Sequence, residues 1–291
     1  MSRRMAWIHG WLLLSPALVL LFAFTHYPAI ITIINSFFTT PRGRLPARFA
    51  GLDNYQKLIS DEVFWKVLWN NFLYALGTVP VSIALAIVMA LLVNSKLHGR
   101  SFVRMAYFTP TVLPLIAVAN IWLFFYTPGF GLIDQIGNLF GLPQMNLLGN
   151  PDTVLWALMV VAVWKEAGFF MIFYLAALQT IPPSLREAGA MEGASGWYFF
   201  RRVTFPLLMP TTLFVSVNAV INSFRLIDHV FVMTEGGPDN ASSLLLFYIY
   251  ETAFKYWDTA YGATLTVVLL VLLSVLAIGQ FVFLDRKVHY Q

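Results

Sequence analysis

The sequence predicts an all-α membrane protein, a bundle of six transmembrane helices. Hydrophobic residues make up 59% of the 291-residue chain and charged residues only 11%, whereas about a quarter of the residues in soluble domains are charged. Crossing a bilayer takes about 20 apolar helical residues. Six runs meet that length, and they cover residues 11–38, 68–93, 103–126, 154–178, 207–227 and 261–284. We expect residues 1–291 to form a single transmembrane domain.

The first run follows two arginines, as a secretory signal peptide does. It is too long for the apolar core of such a peptide, and no small-x-small cleavage site follows it. We therefore expect residues 11–38 to remain as an uncleaved first span.

The connections between the runs differ in length. Residues 39–66 are polar and contain two prolines and a glycine within residues 41–46, which predicts a surface loop with one short helix near residues 54–59. Residues 127–152 carry five glycines and three prolines and predict an irregular segment.

The distribution of lysine and arginine predicts the orientation. With the N-terminus in the cytoplasm, ten basic residues fall on the cytoplasmic side and six in the longer loops opposite, which is the positive-inside pattern. The ten are Arg3, Arg4, Lys96, Arg100, Arg104, Arg186, Arg201, Arg202, Arg286 and Lys287. Both termini and the loop over residues 181–206 are then cytoplasmic.

That loop is a short polar segment between two long apolar runs. Pro182 and Pro183 end the preceding helix. Ser184 and Glu187 have the spacing of a capping box, so a helix is predicted to start there. Glycines at 193 and 196 permit a turn before a second short helix over residues 197–203. Two short exposed helices at a membrane surface are suited to binding in a groove on a partner protein.

Several functions are excluded by what the sequence lacks. None of the six lysines follows a glycine, so the chain has no phosphate-binding loop that ends in Gly-Lys-Ser/Thr. The five histidines are scattered and there is no cysteine, so we expect no metal or cofactor in this chain. No hydrolase motif is present. These absences favour a transporter subunit, neither an enzyme nor a nucleic-acid-binding protein.

The loop also carries a family resemblance. Glu187-Ala188-Gly189, Gly193 and the Val203-x-Phe205-Pro206 ending match the spacing of the EAA motif of binding-protein-dependent ABC importer permeases. Gly189 stands where the motif has a second alanine, which loosens a helix by about 1 kcal/mol. The coupling residues that this resemblance implies are Glu187, Ala188, Gly189, Glu192, Gly193, Ala194, Phe200, Val203 and Pro206.

The resemblance covers nearly the whole chain and is to the carbohydrate-uptake class. Within that class, the length and residues 288–291 are most similar to the first permease subunit of sn-glycerol 3-phosphate importers. The family implies a type I importer fold in the inner membrane of a prokaryote. It also implies a second, different permease, two cytoplasmic ATPase subunits that bind ATP and Mg²⁺, and a solute-binding protein outside. The 181–206 loop would dock on an ATPase subunit.

Charged residues within the spans are candidates for the solute pathway. Lys165 and Glu166 lie near the middle of the fourth run, where a charge costs several kcal/mol unless it faces a cavity or a polar partner. Both alternatives stay open. Arg225 and Asp228 either line the pathway or contact the binding protein, or they pair with each other at i, i+3.

The candidates leave the solute open between two classes. Lys165 and Arg225 facing a cavity would favour an anionic sugar phosphate or glycerol phosphate. A neutral sugar would instead rely on aromatic rings and amides, for which the candidates are Trp164, Tyr174, Asn218 and Asn222.

The alternative function is an ion-gradient-driven secondary carrier or channel subunit, but the internal repeats common in such carriers are not evident.

Overall fold

The chain is mostly helical in the computed structural model, which describes residues 3–95 and 99–285. Lys96, Arg286, Lys287 and residues 288–291, used above for orientation and resemblance, lie outside these ranges. The helices are α1 (Arg3–Leu21), α2 (Tyr27–Asn35), α3 (Asp53–Ile59), α4 (Glu62–Asn94), α5 (Arg100–Val112), α6 (Leu115–Phe125), α7 (Leu132–Leu139), α8 (Val154–Thr180), α9 (Pro183–Met191), α10 (Gly196–Phe199), α11 (Phe205–Leu207), α12 (Met209–Arg225), α13 (Asp228–Met233), α14 (Leu245–Tyr250) and α15 (Thr259–Asp285).

Three π-helical turns interrupt this series. They cover Phe22–His26 between α1 and α2, Phe200–Thr204 between α10 and α11, and Glu251–Lys255 after α14. The short helix α3 lies where the sequence predicts one. Helix α7 differs from the sequence-based expectation, which is an irregular segment over residues 127–152.

Four of these helical stretches are long and apolar enough to cross a membrane: His9–Asn35, Glu62–Asn94, Val154–Thr180 and Thr259–Val282. Two further spans are possible only as bent pairs. The helical path bends by 102° between α5 and α6, and by 68° between Gly196–Leu207 and Met209–Met233. By length and composition the described residues therefore contain four spans, or up to six if each bent pair crosses as one.

The bend between α5 and α6 differs from the straight third span predicted over residues 103–126. Leu113 is extended and Pro114 precedes α6. Proline disfavours helical backbone in the residue before it and has no N–H to donate. Apolar content alone predicted a continuous helix, and the proline at 114 ends it.

The chain forms two compact units. The first consists of Met1–Asp61 and Ile249–Val271, and the second of Glu62–Tyr248 and Leu272–Gln291.

A polar junction at Asp258 organises the first unit. Its carboxylate accepts hydrogen bonds from Lys57 Nζ at 2.9 Å and from Thr40 Oγ1 at 2.6 Å. Burial raises the pKa of the Asp258 carboxyl, but these two hydrogen bonds and the positive charge of Lys57 outweigh it, so the pKa lies below its ordinary value. The junction holds the loop after α2 to the start of α15.

Close packing of α8 against its neighbours forms the core of the second unit. A Cβ atom at Gly168 of α8 would lie 2.2 Å from the carbonyl oxygen of Tyr107, so only glycine lets α5 approach this closely. On α4, a Cβ atom at Gly77 would lie 2.5 Å from Met159 Sδ of α8. Side chains of α4, α8 and α12 then fill a core cluster that includes Phe170, Tyr174 and Leu208.

Candidate functional site

The coupling segment, residues 181–206, forms two short helices at one end of the second unit. No residue of α9 or α10 is buried, and Met191 is 90% exposed. The chain turns between the helices at Gly193, whose φ of +70° lies in the left-handed region that favours glycine. The described structure thus presents two bare helices joined by a tight turn.

The predicted capping box is wrong. Helix α9 begins at Pro183, its N-cap is Pro182, and no side chain caps it. Proline at the first helical position sets the helical φ in advance, so the helix starts one residue before Ser184. Ser195 caps α10 instead, since its side chain accepts a hydrogen bond from the Tyr198 N–H. Glu187 is therefore an exposed side chain on α9 without the structural role that the capping box gave it.

Gly189 has a packing role that the sequence did not reveal. A Cβ atom there would lie 2.8 Å from Cδ2 of Phe199. The missing side chain lets the ring of Phe199 in α10 press against α9. The substitution that seemed only to loosen α9 therefore locks the two short helices together.

Phe200 connects the coupling segment to the bundle. It packs against the core cluster of α4, α8 and α12, and its ring stacks on Trp197 at a centroid distance of 5.6 Å. The other segment residues, Ala188, Glu192, Ala194, Val203 and Pro206, are exposed or half-buried. At Leu208, which is fully buried, the helical path bends by 68° before α12. The loop therefore meets the fifth span at a bend and not in line with it.

Lys165 points at the break between α5 and α6. Its Nζ donates to the carbonyl oxygens of Pro110 at 3.0 Å and Leu113 at 2.6 Å. In a continuous helix the Pro110 oxygen would accept from the N–H of residue 114, and Pro114 has none. The lysine thus supplies the donor that the break removes. Of the two alternatives for Lys165, a polar partner on another helix is the one the structure contains.

Glu166, by contrast, lines a small pocket between α4, α8 and α12. Its Oε2 accepts a hydrogen bond from Asn222 Nδ2 at 2.9 Å. The pocket is about 20 Å³, room for about one water molecule. The lining residues are Tyr74, Thr78, Val79, Ser82, Ala162, Glu166, Phe170, Ala219, Asn222, Ser223 and Leu226. Two predicted pathway residues on different helices are thus brought together.

The polar side of this pocket on α4 is not among the residues that the sequence singles out. Tyr74, Thr78 and Ser82 follow one another at intervals of four and therefore share one helix face. Tyr74 is buried, and its hydroxyl lies 2.8 Å from Nε2 of the buried His229. A polar stripe at that spacing inside an apolar run is the signal that identifies this face.

The remaining candidates lie elsewhere. Asn218 donates to the Phe214 carbonyl of its own helix. Trp164 packs edge-on against Trp122, and Tyr174 is a buried core residue. None of these three lines the pocket.

Of the two alternatives for Arg225 and Asp228, the i, i+3 pair does not form. No ion pair within residues 3–95 and 99–285 joins them. The extended Leu226 ends α12 between the two residues, and Asp228 lies in the first turn of α13. The helical spacing on which the pairing depended is therefore lost.

The second unit is thus a bent helical bundle with an exposed two-helix segment at one end. Residues 82–290 match the family described as the binding-protein-dependent transport system inner membrane component. The chain belongs to this family. It is an integral membrane protein of the prokaryotic inner membrane, and this membership argues against the ion-driven carrier or channel.

Relatives extend the likeness over nearly the whole chain. The lactose transport system permease protein of Rhizobium radiobacter is 33% identical over 94% of this chain and 93% of its own length. The sn-glycerol-3-phosphate transport system permease protein of Agrobacterium fabrum is 30% identical over 96% of each chain. The crystal structure of a bacterial ABC transporter that imports alginate has a chain with a TM-score of 0.85 and 21% identity, covering 97% of this chain and 96% of that one. The resemblance to ABC importer permeases is confirmed, and the type I importer fold agrees with the structural match.

Replacing Lys165 by methionine should destabilise the protein by about 1–3 kcal/mol, because two partly buried carbonyl oxygens lose their donor. Lys165→Arg retains donors and is the matched control. The measurement is the thermal unfolding midpoint of the purified importer, together with the uptake KM. A methionine variant that melts like the wild type but has an altered solute preference would contradict the positioning role and indicate that Lys165 contacts solute.

Replacing Asn222 by alanine should raise the uptake KM about tenfold or more, because the Glu166 carboxyl loses its hydrogen-bond donor at the pocket. Asn218→Ala is the matched control on the same helix, and we expect its KM to change less than about twofold. Uptake kinetics of radiolabelled solute in proteoliposomes provide the measurement. Equal effects of the two substitutions would argue against the pocket as part of the pathway.

Proposed function

We propose that this chain is one of two permease subunits of an ATP-driven importer that moves a carbohydrate or polyol solute through the inner membrane by alternating access. Six spans with both termini in the cytoplasm fit the four long helices and two bent pairs. The positive-inside distribution of lysine and arginine supports this orientation. One contiguous permease domain over residues 1–291 is part of the proposal.

The exposed coupling segment is the observation that carries the proposal. The sequence has no phosphate-binding loop, so the energy for transport comes from another subunit. Helices α9 and α10 are exposed between two long spans and cover no core of their own. We propose that they dock in a groove on a cytoplasmic ATPase subunit, with Glu187, Glu192 and the turn at Gly193 at the contact.

The packing of Phe200 and Leu208 suggests how movement reaches the membrane. Both side chains pack in the core cluster that contains residues of α4, α8 and α12. When ATP and Mg²⁺ bind between two ATPase subunits and draw them together, the docked segments follow. The rigid pair of α9 and α10 then acts on the bend at Leu208, and α12 changes its tilt against α8.

The chemistry of the pocket favours hydroxyl groups over anions. Its lining supplies a carboxyl, an amide, a phenol and hydroxyl groups, which hydrogen-bond to sugar hydroxyls. No lysine or arginine is among the described residues that line it, and Lys165 is occupied at the helix break. A neutral sugar or polyol is thus the favoured solute. Glycerol phosphate, which the name of one relative states, remains the second candidate.

The pocket is too small to hold a sugar, so we propose that it forms one wall of a pathway completed by a second, homologous permease.

A structural relative supports a soluble partner as well. The alginate transporter has been solved in complex with a periplasmic protein bound to an alginate pentasaccharide, with a TM-score of 0.82 to this chain. We propose a comparable solute-binding protein outside the membrane. Membrane lipid surrounds the apolar helices.

The proposed function is tested with the importer purified together with its native partners and reconstituted in proteoliposomes. ATP hydrolysis should rise when the binding protein is loaded with solute. Uptake should require ATP on the side of the membrane where the ATPase subunits lie. A screen of neutral sugars, polyols and glycerol phosphate against the binding protein identifies the solute class. Uptake by this chain alone, without ATP, would contradict the proposal and revive the secondary carrier.

Replacing Gly189 by alanine should uncouple ATP hydrolysis from uptake. Although alanine favours the helix by about 1 kcal/mol, its Cβ atom would displace the Phe199 ring and separate α9 from α10. Gly196→Ala is the matched control, because a Cβ atom there meets nothing within 4 Å. The measurement is the ratio of solute imported to ATP hydrolysed. A separate variant, Glu187→Lys, should also lower this ratio, because it weakens docking on the ATPase subunit. If Gly189→Ala and Gly196→Ala show equal ratios, the packing of the two helices is not needed for coupling.

A further inference from the structure

A second pocket lies at the end of the bundle where α4 ends and α5 begins. Its volume is about 250 Å³, an order of magnitude larger than the pocket at Glu166. Helix α8 reaches the same end shortly before the coupling segment starts. The lining residues are Val93, Asn94, Arg100, Ser101, Arg104, Leu175 and Gln179. Five of the seven lining residues are polar or charged, although the elements around them are largely apolar.

Two arginines on one face of α5 give the pocket its charge. Arg100 and Arg104 are four residues apart and therefore one turn from each other on the same face. Among the described residues, 3–95 and 99–285, neither guanidinium forms an ion pair or a hydrogen bond. Two uncompensated positive charges that share a concave site attract an anion. No acidic residue is among the described residues that line the pocket.

The neutral groups in the pocket match the same ligand. Ser101, Asn94 and Gln179 each offer a hydrogen-bond donor. At the start of α5 the N–H groups of Phe102 and Val103 both donate to the Gly99 carbonyl oxygen. The N–H groups of Arg100 and Ser101 precede these bonds and have no partner within the helix. Guanidinium forks and free N–H groups together are the donor set that binds phosphate oxygens.

Two simpler roles for these arginines do not explain the pocket. Arginine at the cytoplasmic end of a span helps to set topology, and a positive charge near the C-terminal ends of α4 and α8 offsets their helix dipoles. Either role requires a charge near the membrane surface. Neither requires a concave site in which an asparagine, a serine and a glutamine converge with the arginines.

We propose that this pocket binds a phosphate group, and that the group belongs to the headgroup of an anionic phospholipid. The apolar residues beside the arginines favour the lipid source. Phe102 and Met105 of α5 are 68% and 59% exposed, so apolar surface suited to acyl chains adjoins the donors. A soluble phosphate ester needs the same donors but no such surface. The bound lipid would join the ends of α4, α5 and α8 next to the coupling segment.

Binding to the detergent-purified importer, measured by native mass spectrometry and ligand-dependent thermal shift, tests the proposal. The probes are dihexanoyl phosphatidylglycerol, dihexanoylglycerol with the same tails and no phosphate, inorganic phosphate and sn-glycerol 3-phosphate. Phosphatidylglycerol should bind saturably and dihexanoylglycerol should not. Arg100→Gln/Arg104→Gln should weaken binding about tenfold or more for each arginine, since each contributes charge-assisted hydrogen bonds.

The matched control is Arg42→Gln/Arg44→Gln, which removes the same charge from an exposed loop, and its affinity should equal that of the wild type. If the soluble phosphates bind as tightly as phosphatidylglycerol and lose binding in the Arg100/Arg104 variant, the phosphate site stands and its source is soluble. Equal lipid affinity in that variant and the wild type, or equal binding of the two dihexanoyl probes, would overturn the proposal.

A second variant covers the case in which the double substitution prevents assembly. Arg104→Lys keeps the charge but removes the planar fork, so it should assemble and bind phosphatidylglycerol several-fold more weakly. Unchanged affinity in Arg104→Lys, when the double variant cannot be purified, would also count against the site.

Discussion

Two carbonyl oxygens at the break between α5 and α6, those of Pro110 and Leu113, accept hydrogen bonds from the ammonium group of Lys165. Within a bilayer, water is not available to satisfy a broken helix, so each freed backbone group needs a donor from the protein itself. Lysine is suited to this role, because its flexible stem brings three N–H donors to one point. The 102° bend and the charge in the middle of α8 therefore depend on each other.

This arrangement separates two adjacent residues that the sequence presents as a pair. Lys165 supports the helix break, whereas Glu166 points to the pocket and bonds to Asn222 of α12. Neighbouring residues on a helix point about 100° apart, and here the two directions serve different tasks. The described lining of the pocket consequently has an acceptor but no lysine or arginine, which supports the proposed preference for hydroxyl-bearing solutes.

Glycines allow close packing both within the bundle and within the coupling segment. Gly168 lets α5 approach α8, and Gly189 lets Phe199 press on α9. Between these points, Phe200 and the bend at Leu208 join the exposed helices to the core. In the proposed mechanism this tight packing makes the segment a rigid lever, since packed interiors transmit displacement instead of absorbing it.

The sequence by itself determined the class of the protein. Apolar runs, the spaced residues from Glu187 to Pro206 and the missing phosphate loop are local patterns, and they predicted a helical permease, its coupling segment and its dependence on another subunit. The capping box failed because Pro183 starts α9 earlier than the Ser184–Glu187 spacing implies. The alternative in which Arg225 pairs with Asp228 is wrong because α12 ends between the two residues. Only the tertiary structure decided which way Lys165 points, that Glu166 meets Asn222, and that Tyr74, Thr78 and Ser82 face the same pocket. The physical reason is that a partner for a buried polar group comes from another helix, and the sequence of one helix does not specify which neighbour lies beside it.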